Sequence, residues 1–160
     1  MKDIIIIGSG PAGLSAAVYG RRAGLDILVI EKEYCGTGQI AESGQVDNYL
    51  GIPGMEGYSL GEKFREHAEN LGTAFLEEEV TKLEQSDGYW KVLLAGGDVL
   101  ETKTVIYAAG ASHRHLNVPG EDKLSGRGVS YCATCDGAFF QGKTTAVIGG
   151  GDTALDDALY

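Results

Sequence analysis

An α/β fold made of two successive nucleotide-type units is predicted by three features of the 160-residue chain. A β-branched run, Asp3 to Ile7, ends in the glycine sequence Gly8-Ser9-Gly10-Pro11-Ala12-Gly13. The same arrangement returns near the other end, where Thr144 to Ile148 precedes Gly149-Gly150-Gly151-Asp152-Thr153-Ala154. Short apolar runs at strand spacing lie between the two. With 43% hydrophobic and 22% charged residues the chain can build a packed core and has no signature of disorder.

The first element is a buried parallel strand, because Asp3 to Ile7 is apolar throughout and stops at glycine. A helix follows, with Leu14, Ala17, Val18 and Arg21 at helical spacing and Gly24 placed as its C-terminal cap. Ile27 to Ile30 is a second buried strand, so the opening is a βαβ unit. Residues 31–57 are Gly-rich and irregular, a length more typical of a ligand-binding segment than of a connector. Ser59 to Leu71 reads as a helix, with Ser59 and Glu62 as a capping box and Leu60, Phe64, His67, Ala68 and Leu71 on one face. Thr73 to Thr81, Trp90 to Leu94 and Val99 to Thr102 read as strands of a small antiparallel sheet, the last two joined at Gly96-Gly97-Asp98. Thr104 to Ala108 is another strand, and residues 111–128 are polar and Gly/Pro-bearing like a linker. The expected organisation is a first domain over 1–114, then 115–160 holding the linker and the opening of a second domain whose helix runs from Thr153 to Tyr160.

Charge and cysteine usage narrow the chemistry. A net charge of −10 and a pI near 4.6 disfavour nucleic acid and anionic membranes, both of which need a concentrated positive patch. The run Ile4 to Ile7 is too short for a signal core or a membrane span, which makes the cytoplasm the expected location. Of three cysteines, Cys132 and Cys135 stand at C-x-x-C spacing, where two sulfurs can form a disulfide and one thiol is readily ionised. Asp136 beside them is placed to shuttle a proton to or from a thiolate. Zinc is the competing reading, but Cys35, His67, His113 and His115 are not at paired metal spacing, so no metal is expected.

In Gly8 to Gly13 the first glycine allows the turn, the second lets backbone approach a pyrophosphate, and the third lets helix pack on strand. The helix N-terminus then faces the phosphates. Glu31 stands where an acid accepts bonds from a ribose 2′-hydroxyl; a carboxylate there repels a 2′-phosphate, so the site suits FAD or NAD and not NADP. The second motif, with Gly149, Gly151, Asp152, Thr153 and Ala154, indicates a nicotinamide nucleotide site, NAD and NADP being left open. The architecture predicted is therefore a Rossmann-like FAD-binding domain, three-layered with a parallel sheet plus a small antiparallel one, followed by the start of a Rossmann-like NAD(P)-binding domain.

The order GSGPAG, Gly38-Gln39-Ile40, Val46-Asp47-Asn48-Tyr49, Ala108-Ala109-Gly110-Ala111, Cys132-Ala133-Thr134-Cys135-Asp136-Gly137 and GGGDTA closely resembles the thioredoxin reductase family, bacterial low-molecular-weight class. The resemblance implies that the first glycine motif, Glu31, Gln39, Asn48 and Ala109-Gly110 contact FAD. It also implies that Cys135 faces the flavin, Cys132 attacks the substrate disulfide, and Asp136 is the general acid/base. Electrons would pass from NAD(P)H through FAD to a thioredoxin-like protein disulfide in a homodimer. A ferredoxin-linked or peroxiredoxin-reducing relative and an inactive flavin-binding fragment are the alternatives. Departures from the pattern are Thr37 and Leu50, where glycine and proline are usual, and Asp156-Asp157, where glutamates are more frequent. His113 and His115 are expected to be solvated, Cys35 to be an inert thiol near the flavin, and Phe139 and Phe140 to pack, while the resemblance implies that Phe139 helps dock a protein disulfide. A second domain opened at Gly149 needs more strands than follow it, so the chain is expected to be part of one about twice as long. Val147, Ile148, Leu155 and Leu159 would then be left uncovered.

Overall fold

The computed structural model describes residues 1–33 and 37–160, the side chains of Thr134 and Asp136 excepted. Cys35 thus lies outside the described residues, as does the side chain of Asp136. Two compact units, Met1–Ala111 and Ser112–Tyr160, make up the chain.

In the first unit, β1 (Lys2–Ile7), α1 (Pro11–Arg22) and β2 (Ile27–Glu31) form the expected parallel βαβ, with Ile4 opposite Ile27 and Ile7 opposite Ile30. Helix α1 ends as read, with Gly24 at a φ of 78° and its N–H on the Arg21 carbonyl at 3.0 Å. Ile5, Ile6, Ile27 and Ile30 are buried on β1 and β2; full burial of such a side chain is worth about 1.5–3 kcal/mol. Helix α2 (Gly57–Asn70) lies against α1. The capping box of Ser59 and Glu62 does not form, because the helix starts ahead of it with Glu56 as N-cap. Gly57 is fixed by its N–H on the Ser43 carbonyl at 2.9 Å, and from there the hydroxyl of Ser59 donates back to Glu56 at 3.0 Å.

The run Thr73 to Thr81, read as one strand, is divided between β3 (Ala74–Glu77), parallel to β2, and β4 (Val80–Ser86), antiparallel to β5 (Tyr89–Leu94). Conversely, the two runs expected as strands on either side of Lys103 are one strand, β6 (Val99–Tyr107). Its first half pairs antiparallel with β5 and its second half parallel with β1, changing neighbours at Thr102. Thr102 is fully buried there and donates its hydroxyl to the Thr104 carbonyl at 2.9 Å. The parallel and antiparallel sections therefore share one six-stranded sheet, ordered β3-β2-β1-β6-β5-β4.

The second unit is mostly irregular. It holds α3 (Glu121–Leu124), α4 (Ala133–Asp136), a 3₁₀ turn over Gly137–Phe140, and α5 (Asp152–Leu159). The strand expected over Thr144 to Ile148 is absent: a ladder needs a partner, and among the described residues none pairs there. Val147, Ile148, Leu155 and Leu159 are exposed. No helix among the described residues is long and apolar enough to cross a membrane.

Candidate functional site

At the end of β1 the chain turns under β6. Gly8 has a φ of +102°, and a Cβ on it would lie 2.3 Å from the Ala108 carbonyl oxygen. A Cβ on Gly13 would lie 2.0 Å from the Gly8 carbonyl oxygen, so turn and helix touch backbone to backbone. Gly10 is different. Its nearest neighbour would be the Thr37 carbonyl at an ordinary 3.7 Å, so among the described residues nothing demands glycine there. Glycine there leaves room for the close backbone approach that a pyrophosphate needs. Pro11 occupies the first turn of α1, with no acid in that turn and no side-chain cap, which suits the helix's N–H groups and positive dipole end to an anion.

Glu31 is held before any ligand arrives. One carboxylate oxygen accepts the Ser9 backbone N–H at 2.9 Å and the Ser9 hydroxyl at 3.0 Å, and the other accepts the Lys32 N–H at 2.8 Å. Gly8, Gly10, Pro11, Ala12, Glu31, Gly38, Gln39, Ala109 and Gly110 line one cavity of about 910 Å³, within the range of cofactor sites. Gln39 donates to the Ala111 carbonyl. Glycine without an internal reason at 10, an open helix end and an oriented acid fit a dinucleotide such as FAD. Gly13 lies beneath the turn and not on the wall. Asn48 is exposed and off the wall, and Tyr49 beside it packs on Phe64 of α2 at 4.9 Å between centroids. The wall also includes Lys32, next to Glu31, and Val80 to Leu83; the sequence reading missed the latter because it ran β3 and β4 together and hid the bend that brings them to the cavity. Thr37, a departure from the family pattern, is buried against Gly61 of α2, where a Cβ would meet its hydroxyl oxygen at 2.3 Å.

In the second unit Cys132 and Cys135 form a disulfide with their Cα atoms 5.3 Å apart. Cys132 caps α4, and the Cys135 N–H bonds its carbonyl at 3.1 Å. The residue before the pair belongs to a cluster that the sequence reading missed. Tyr131 stacks on His113 at 3.6 Å, meets Nδ1 of His115 at 3.2 Å, and donates its hydroxyl to Glu121. The buried Glu121 carboxylate also accepts the N–H groups of Leu116, Asn117 and Val118 at 2.8, 2.6 and 3.3 Å. The Tyr131 hydroxyl above all, then the Leu116 N–H, lowers the Glu121 carboxyl to about 2. The Glu121 carboxylate in turn pushes the Tyr131 phenol up to about 12. Spacing alone does not reveal such a group, since its members are brought together by a turn and not by periodicity. Phe139 is exposed beside the pair in sequence.

The second glycine turn has Gly149 at a φ of +138°, and a Cβ on Gly150 or Gly151 would meet nothing within 4 Å among the described residues. Asp152, Thr153 and Ala154 open α5. Among the described residues no paired strands stand behind this turn. Among the described residues no three His, Cys, Asp or Glu side chains are grouped to hold a metal ion.

A fold with a dinucleotide turn and a separate redox disulfide defines a class, and residues 2–160 match the pyridine nucleotide-disulphide oxidoreductase family. The chain belongs to that family. Within it the chain is similar to thioredoxin reductase of Bacillus subtilis (strain 168), 46% identical over 99% of this chain and 49% of the relative. Thioredoxin reductase of Ureaplasma parvum is 42% identical over 99% of this chain and 50% of its own length. The crystal structure of thioredoxin reductase from Streptococcus pyogenes MGAS5005 superposes with a TM-score of 0.85 at 42% identity, covering 100% of this chain and 52% of that one. The chain spans about half the length of the curated relatives it matches.

Proposed function

We propose that this chain is the flavin- and disulfide-bearing part of a thioredoxin reductase. It would draw electrons from NAD(P)H on the Gly149 to Ala154 turn and deliver them through Cys132 and Cys135 to a thioredoxin-like protein disulfide. The observation that carries the reading is the Cys132–Cys135 disulfide itself, closed over a single turn with one sulfur at each end. FAD, when bound, supplies a two-electron carrier between nicotinamide and disulfide. The residues do the rest. Gly10 and the α1 N-terminus receive the pyrophosphate, while Glu31, already oriented by Ser9, takes the ribose hydroxyls. Cys132, as the attacking thiol, forms a mixed disulfide with the substrate; Cys135 displaces the reduced partner, and Asp136 supplies or removes the proton. Family resemblance extends the proposal to a homodimer working in the cytoplasm, where disulfides are transient and catalytic, and to domains divided near residue 114.

Cys135→Ser in the full-length protein should trap Cys132 in a mixed disulfide with thioredoxin, whereas Cys132→Ser should trap none. Protein disulfide reduction at the parent rate by Cys132→Ser would refute the assignment. A Gly10→Val protein should fold and lose flavin colour, and undiminished flavin retention would remove FAD from this cavity.

A further inference from the structure

Asp157 lies in α5, beyond the second glycine turn, yet its carboxylate accepts the backbone N–H of Ala133 at 3.0 Å. Ala133 is the residue directly after Cys132 and the first of α4. N–H groups at that position are the donors that a thiolate formed on Cys132 would draw on, because the first turn of a helix has no internal acceptors. Asp157 engages one of them and sets a negative charge beside it. The residue that follows α5 reaches the other end of the turn, where a Cβ on Gly137 would lie 3.1 Å from the Tyr160 ring. Helix α5 and its C-cap Tyr160 thus meet the two ends of the redox turn, and Asp157 is half-buried at its end. Neither the glycine motif nor the C-x-x-C spacing calls for an acid at this place.

We propose that Asp157 is a positioning residue for the redox pair: it holds the turn through the Ala133 N–H, and its charge disfavours the Cys132 thiolate and so favours the disulfide. The inference rests on the reading that the pair cycles. Reduction breaks the S–S bond, taking up two electrons and two protons to give two thiols, one of which ionises by releasing a proton. Asp157 acts on that ionised state. A carboxylate beside the thiolate raises its free energy, while the neutral disulfide carries no charge to repel. The pair is therefore a stronger reductant than the same turn without Asp157.

The test equilibrates full-length protein with glutathione buffers at neutral pH, quenches by alkylation, and reads the dithiol-to-disulfide ratio of Cys132 and Cys135 by mass spectrometry. Asp157→Asn keeps an acceptor for the Ala133 N–H and removes the charge. It should move the ratio toward dithiol by about threefold to tenfold, up to about 30 mV less negative by the two-electron conversion. Asp157→Ala, which also frees the N–H, should move it at least as far, and Asp157→Glu should restore the parent ratio. A melting curve checks each variant, and Asp157→Asn alone decides the matter if the alanine variant does not fold. Ratios within twofold of the parent in both Asn and Ala variants, or shifts toward disulfide, overturn the proposal while leaving the pair's cycling intact. A parent protein whose pair does not respond to glutathione at all overturns the cycling and this inference together.

Discussion

Gly8 to Gly13 and Gly149 to Ala154 carry the same spacing of small residues, and the molecule treats them differently. The first is wedged between β1, β6 and α1, with backbone in contact on two sides, so its glycines at 8 and 13 answer to the fold, while the space beside Gly10 opens on the cavity. The second stands at the start of α5 and, among the described residues, has no ladder ahead of it and open space around Gly150 and Gly151. The carboxylates of the two units differ in the same sense. Glu31 is held by donors and opens on a cavity, whereas Glu121 is buried among four donors and holds a turn. A motif states what a segment is able to bind; the packing around it decides which of its residues are bound to structure instead.

The contrast is broken most directly by adding one carbon to each turn. Gly13→Ala should cost more than about 3 kcal/mol, because buried backbone cannot yield to a 2.0 Å overlap. Gly150→Ala should leave the melting temperature unchanged, since its Cβ has open space. Equal effects in thermal unfolding would show that the two turns are packed alike.

A smaller effect should separate the acids. Glu31→Gln should weaken flavin retention roughly 10- to 100-fold, the equivalent of about 1.5–3 kcal/mol for hydrogen bonds to a charged group. Ser9→Ala, which loosens Glu31 without removing it, should weaken retention by about threefold to tenfold. Asp152→Asn in the second turn should leave it unchanged. Fluorescence titration of released flavin measures all three.

For Glu121 the expected signature is in stability. Its carboxyl is lowered to about 2 from 4.5, so its stabilising contribution is complete above about 4.5 and lost as pH falls toward 2. Tyr131 is raised from 10 to about 12, so its contribution is complete below about 10 and lost as pH rises toward 12. Tyr131→Phe keeps the stack on His113 and should flatten the melting temperature in both windows, a change of a few degrees by calorimetry. A parent-like profile in that variant would detach the phenol from Glu121. The smallest effect should come from the exposed pair of Lys103 and Asp3 at 2.7 Å: Lys103→Ala should move the melting temperature by no more than about 1 °C, as surface pairs do in salt.

Much of the first unit was legible because its signals are local. Strand β1, the glycine turn, α1 with its Gly24 cap, β2 and Glu31 follow each other within one βαβ, and each is announced by residues next to it. The boundary between β3 and β4, and the continuity of β6 across Lys103, were not legible. A strand's limits there are set by which neighbour it pairs with, and Thr102 changes neighbours without any break in its own sequence pattern. The strand ahead of Gly149 failed for the converse reason, its pattern being correct and its partners missing among the described residues.

By itself the sequence determined the family, the dinucleotide turn and the cysteine pair, since each depends on residue types at short fixed spacings that the backbone converts directly into geometry. Tertiary structure alone decided that Ser9 orients Glu31 across 22 residues and that Asp157 reaches Ala133 across 24. It alone decided, too, that Glu121 gathers the segment before Cys132. Those contacts arise when packing fixes where distant side chains end, and no periodicity in the chain encodes that distance.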